Sequence, residues 1–87
     1  MHEHSLMNDL LRKILDVAQK QNARKVTRVK VAVGALSHFS RPHFIEHFVH
    51  AAEGTPAEGA ALDIDMLEDA AHPQAREVLL ESVEVEE

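Results

Sequence analysis

The chain has no cysteine. That one absence excludes disulfides, thiolate zinc sites and a cysteine nucleophile together. There is no tryptophan or tyrosine and there are only three phenylalanines, so a core must be built mainly from Ala, Val, Leu and Ile. The three glycines are widely spaced, which leaves no glycine-rich phosphate loop and no Gly-x-Ser-x-Gly nucleophile elbow. No apolar run approaches the ~20 residues needed to span a bilayer. The N-terminus lacks the basic and apolar regions of a signal peptide, so the cytoplasm is the expected compartment. Positive charge is in deficit: nine Lys and Arg stand against fifteen Asp and Glu, a formal net charge of −6. Nothing electrostatic favours nucleic acid or an anionic membrane.

What is present is 87 residues, a hydrophobic content of 45% and seven histidines. The length predicts one domain, near the low end of what a single core stabilises. The hydrophobic fraction is enough for that core, and the histidines are the compositional surplus.

Two of them open the chain, in Met1-His2-Glu3-His4-Ser5-Leu6. This stretch places an α-amine, two imidazoles and a carboxylate within four residues. His2 is too bulky to favour removal of the initiator Met1. An α-amine, the next amide nitrogen and the imidazole at position 2 can close fused chelate rings on one ion. Tetragonal or square-planar nitrogen coordination of this kind suits Ni(II) or Cu(II). Terminal residues are often disordered, and two solvated histidines on a frayed end are the competing reading.

Leu6, Met7, Leu10, Leu11, Ile14, Val17 and Ala18 recur at helical spacing, which predicts a helix over about residues 5–21. Ser5 is its candidate N-cap, Asp9 complements the helix dipole, and Asn22 is a candidate stop. Lys25 to Leu36 reads as a strand, with Val29, Val31 and Val33 on one face and Arg28 and Lys30 on the other. Gly34 ends it or marks a close backbone approach. Ser40-Arg41-Pro42 starts a second helix, over about residues 41–53. Phe44, Ile45, Phe48, Val49 and Ala52 are its expected apolar face, and Gly54 is its expected cap. Ala61 to Leu67 alternates as a half-buried strand. Glu68 to Gln74 is a polar turn, and the whole of Glu68 to Arg76 is expected to stay a compact turn. Glu77 to Glu86 is a third strand with Leu79, Val83 and Val85 on one face. Glu81 falls in that register and marks a bend or an exposed edge. The expected fold is α+β, in the order α-β-α-β-β. Two helices would pack on one face of a three-stranded sheet, with a parallel crossover between the first two strands. The strand order is left open.

His43, His47 and His50 lie at i, i+4 and i+7, so they share one helix face and could bind a metal. Glu46 is on the wrong side of that spacing for the His-Glu-x-x-His zinc-protease motif. The face is expected to lie opposite Phe44, Ile45 and Phe48, in solvent. His38 precedes the helix and could swing toward the N-terminus, and His72 is a turn residue. Asp63 and Asp65 share a strand face, which a polar outer surface explains better than paired acid–base catalysis. No catalytic constellation emerges, and the reading is against an enzyme.

These pieces together resemble the HypA/HybF hydrogenase nickel-incorporation metallochaperones. Met-His-Glu at the start, followed by a helix, is similar to that family's N-terminus. Val26-Thr27-Arg28-Val29 through Gly34-Ala35-Leu36-Ser37 resembles its first strand and the end of that strand. Phe44 to Phe48, Gly54-Thr55, Ala57-Glu58-Gly59-Ala60 and Leu62-Asp63-Ile64 resemble its second helix, loop and second strand. Ser82-Val83-Glu84-Val85-Glu86 resembles its last strand. The resemblance implies a mixed three-stranded sheet with two helices, and Ni(II) held at the extreme N-terminus, with His2 essential. The Met1 α-amine and the backbone nitrogens of His2 and Glu3 would complete the site, and His4 is an additional candidate ligand. It further implies delivery to a hydrogenase large subunit or to urease, alongside a GTPase. The chain departs from the family in two places. Family members carry a zinc domain with two Cys-x-x-Cys pairs between the last two strands, where this chain has Glu68 to Arg76, so no structural zinc is expected. Family members often have an acidic residue before the second helix, near the metal, where this chain has Ser40. A metal-free interaction or assembly subunit that binds a metalloenzyme component is the second reading. A homodimer formed through a strand edge or helix faces is the third.

Overall fold

Val26, Val29, Val31 and Val33 are all fully buried, and all four belong to one strand, β1 (Lys25–Val33). The computed structural model describes residues 3–37 and 39–87, with side chains from Ser5 onward. Around β1 stand α1 (Glu3–Lys20), α2 (Arg41–Ala52), β2 (Ala61–Met66) and β3 (Val78–Glu86). The sheet order is β2-β1-β3. β1 is parallel to β2 and antiparallel to β3, so the sheet is mixed. The expected α+β architecture is therefore the observed one. Among the described residues no helix is long and apolar enough to cross a membrane.

α1 starts two residues before the sequence reading put it, so Ser5 lies inside the helix and is not its N-cap. Leu6, Met7, Leu10, Ile14 and Ala18 are buried on the sheet-facing side. The helix ends at Asn22, which adopts a left-handed φ of 54°. The Ala23 N–H bonds to the Ala18 carbonyl at 2.9 Å and the Asn22 N–H to that of Gln19 at 3.1 Å. This pair of bonds is the Schellman closure, which satisfies carbonyls the helix would otherwise leave open.

β3 corrects one strand reading. Lys30 pairs with Ser82, but the next residue, Val31, pairs with Leu80. Glu81 is therefore the extra residue of a β-bulge, which reverses the alternation on its N-terminal side. Val78 and Leu80, not Leu79, join Val83 and Val85 against the core, while Leu79 pairs with Ala32. A second bulge places Thr27 between the pairs Val26–Val85 and Arg28–Glu84. It explains why Val26 and Val29, three residues apart, are both buried.

β1 stops at Val33, three residues earlier than expected. Ser37 then closes a turn, its N–H reaching the Gly34 carbonyl at 3.1 Å and its hydroxyl reaching the same oxygen at 2.8 Å. The segment between β2 and β3 folds as successive turns and docks on this corner. Gly34 N–H donates to the Glu77 carbonyl at 2.8 Å, and Leu36 N–H to that of Ala75 at 2.7 Å. A Cβ at Gly34 would stand 2.2 Å from the Ala75 oxygen, so the close approach expected there is real. His72 helps shape the turn, its Nδ1 accepting from the Gln74 N–H at 3.0 Å.

Candidate metal centre

The four N-terminal candidates are Met1, His2, Glu3 and His4. Met1 and His2 lie outside the described residues, as does His38. Glu3 and His4 enter only as the backbone of the first turn of α1. The geometry around them comes from what α1 runs beside. Met7 and Asn8, one turn further on, share a groove with His47, His50 and Ala51 of α2.

α2 is positioned by its own sequence. Ser40 is the N-cap: its Oγ accepts from the His43 N–H at 3.2 Å, and Pro42 sits in the first turn. Phe39, just before the cap, packs edge-on against Phe44 with ring centroids 5.3 Å apart. A large apolar residue at that position meeting one in the second turn is a hydrophobic staple. Phe39 is the residue that the sequence reading missed. Its signal was legible, since Phe-Ser-Arg-Pro-His-Phe places it one residue before the cap.

The staple changes the account of the histidines. Phe44, Phe48 and Ala52 are buried, but Ile45 is 39% exposed and Val49 is 54% exposed. The expected apolar face therefore loses its Ile45–Val49 side. His43 and His47, expected in solvent opposite the phenylalanines, are half-buried beside them. On a helix of 3.6 residues per turn, His47 lies only about 60° from Phe44, so a modest rotation of α2 brings it inward. The Phe39 ring lies 5.9 Å from each imidazole. The two imidazole centroids are 4.5 Å apart, with planes at 69°. His50 is exposed and reaches Glu53 at 3.4 Å. The three histidines thus divide into a pair and an outlier. Among the described residues no group of three or more His, Asp or Glu could hold a metal ion.

Asp63 of β2 has a structural role. Arg28 donates to Asp63 at 2.9 Å and lies 3.4 Å from Glu84, so it bridges both outer strands across the open face of the sheet. The hydrogen bond to Asp63, and then the Asp63 charge, raise the Arg28 pKa above its ordinary value.

A solved nickel metallochaperone, HypA from Helicobacter pylori, aligns over 99% of this chain and 98% of its own, with a TM-score of 0.78 and 24% identity. That likeness establishes a shared fold. The chain belongs to the HypA family: the family model described as "Hydrogenase/urease nickel incorporation, metallochaperone, hypA" matches residues 1–85. The hydrogenase maturation factor HypA of Aquifex aeolicus is 43% identical over 67 residues, covering 76% of this chain and 57% of that protein. Its counterpart in Methanopyrus kandleri is 35% identical over 66 residues, covering 76% of this chain and 46% of that protein. The chain thus spans about half the length of these curated relatives. The family is one of maturation factors, not catalysts.

Proposed function

We propose that the chain takes up Ni(II) as cargo at Met1-His2-Glu3-His4 and delivers it to a nickel enzyme in the cytoplasm. The large subunit of a nickel–iron hydrogenase is the first candidate target, with a nickel-insertion GTPase as companion. The observation that carries this reading is the family match, which begins at residue 1 and so includes Met-His-Glu. With the Met1 α-amine free, that amine, the His2 and Glu3 amide nitrogens and the His2 imidazole supply four nitrogen donors. Four nitrogens in one plane suit Ni(II). His4 stands next to them as a further imidazole. The amine and imidazole must be neutral to ligate, with reference pKa values of about 7.7–8.0 and 6.5, and each ligating amide nitrogen must give up its N–H proton to the solvent. Binding therefore releases protons, and affinity rises as pH rises through that range.

Calorimetric titration of untagged protein with Ni(II) tests the site. His2→Ala abolishes tight binding in this reading. One or two residues added before Met1 weaken it sharply, because the imidazole stays while the amine moves away. Equal affinities of native and extended chains would remove the amine from the site. A second reading, a metal-free assembly subunit docking on a metalloenzyme component, is favoured by the lack of any cysteine. Undetectable Ni(II) binding in both native and extended chains would select it.

A further inference from the structure

We infer that the free edge of β2, roofed by Ile45 and Val49 of α2, is the docking edge for an extended segment of a partner protein in which apolar and basic residues alternate. This surface does not depend on the terminal chelate.

Backbone direction defines the edge. Leu67 N–H donates to the Val33 carbonyl of β1 at 2.9 Å, so Leu67 and every second residue before it turn their backbone groups toward β1. Leu62, Ile64 and Met66 fall between them and turn their N–H and C=O groups outward. Of the described elements, only β1 and α2 contact β2. Arg41 reaches one of the outward groups, its guanidinium donating to the Ile64 carbonyl at 3.1 Å. That bond is exposed, so exchanging it for one to an entering strand costs little. The other edge, β3, is blunted by its bulge at Glu81 and by Glu84 and Glu86, devices that discourage strand pairing. β2 has no bulge, proline or lysine.

Side chains decide the occupant. An added strand would lie about 4.8 Å beyond β2. Its residues on the helix side would pass beneath the flank of α2 where Ile45 and Val49 are exposed. Its alternate residues would lie beside Asp63 and Asp65, both exposed on the open face of the sheet. Asp63 is already held by Arg28, whereas Asp65 makes no ion pair among the described residues. The inner neighbour of β2 shows the pattern that fits. β1 sets Arg28 on Asp63 at 2.9 Å, while Val29 and Val31 are buried under the helices. Arg41 opposes a cation on the helix side and so reinforces the alternation. The net charge of −6 adds attraction for a basic segment. A second copy of the chain fits poorly. Antiparallel pairing of two β2 edges about Ile64 would set Asp63 of each copy opposite Asp65 of the other, and like charges directly opposite are destabilising. In strand addition the main-chain bonds supply affinity and the alternate side chains supply specificity.

The probe is a short peptide of alternating Val and Lys, blocked at both ends and added to the metal-free full chain. Amide hydrogen exchange is followed by NMR. The expected result is slower exchange at Leu62, Ile64 and Met66, whose N–H groups gain partners, with no gain at Asp63 and Asp65, which β1 already bonds. A peptide with Glu in place of Lys leaves all of these amides unchanged. Asp65→Lys and Val49→Ser, both at exposed positions, each weaken binding of the Val–Lys peptide several-fold. No slowing at the three outward amides, or binding that neither substitution weakens, would overturn the inference. Slowing that appears without peptide as protein concentration rises would also overturn it and assign the edge to a second copy. No metal is present, so this result and the Ni(II) titration can fail separately.

Discussion

α1 and α2 lie on the same face of the same sheet, yet they present different surfaces to it. α1 buries Leu6, Met7, Leu10, Ile14 and Ala18, with Leu11 and Leu15 packed at their margin. α2 buries only Phe44, Phe48 and Ala52. Its flank toward α1 is half-polar, with His47 and Ala51 in the shared groove. Its other flank carries Arg41, Ile45 and Val49, and Arg41 reaches β2. The outer strands of a three-stranded sheet lie about 10 Å apart, while two helices side by side occupy about 20 Å. One helix can be fully seated only if the other overhangs. α1 takes the scaffold position over β1 and β3. α2 overhangs β2, and its partly covered flanks are where chemistry-bearing residues can stand.

This division predicts a ranked set of stability effects, readable by thermal and urea denaturation. Phe48→Ala removes a buried ring from the narrow stripe of α2 and should cost about 3–5 kcal/mol. Total stabilities usually span about 5–15 kcal/mol, and at the low end, where a domain this small belongs, that variant should be close to unfolding at room temperature. A melting temperature that barely moves would show that the stripe is not core. Ile14→Ala in α1 should cost about 2–5 kcal/mol. The wider apolar face around Ile14 gives the site more neighbours to collapse onto it, so its loss should not exceed that of Phe48→Ala. The reverse order would mean that α1 is the more rigidly packed helix. Ser40→Ala should cost about 1 kcal/mol, a drop of roughly 4–8 °C in a domain this size. Val49→Ser should stay within about 0.5 kcal/mol, as exposed substitutions do. A larger loss in a concentration-dependent melt would reveal a second copy of the chain covering that flank.

The sequence reading misplaced side chains where two elements had to agree on a rotation. Ile45 and Val49 fit the apolar period of α2 as well as Phe44 and Phe48 did. Periodicity fixes a stripe's spacing but not its angular centre, and the Phe39 staple turned that centre toward the histidines. Leu79 fitted the alternation of β3, and one extra residue at Glu81 handed its place to Leu80. The candidate site was legible in part. The Met1-His2-Glu3 pattern was read from its donor chemistry, and the His43–His47 spacing was visible as i, i+4. Its closeness to Phe39 and to the first turns of α1 was not.

By itself the sequence determined the elements and their punctuation: two helical periods, three strands, the Ser40 cap, the Asn22 stop and the α-β-α-β-β order, while the cap of α2 falls on Glu53, one residue before the expected Gly54. These are local properties, set by backbone sterics and side-chain period within a few residues. It also carried the family resemblance. Only the tertiary structure decided the β2-β1-β3 order, the bulges at Thr27 and Glu81, the Gly34–Ala75 contact and the rotation of α2. Each of these depends on contacts between residues remote in the chain. Their energies come from burial against one another, and no local window of sequence contains both partners.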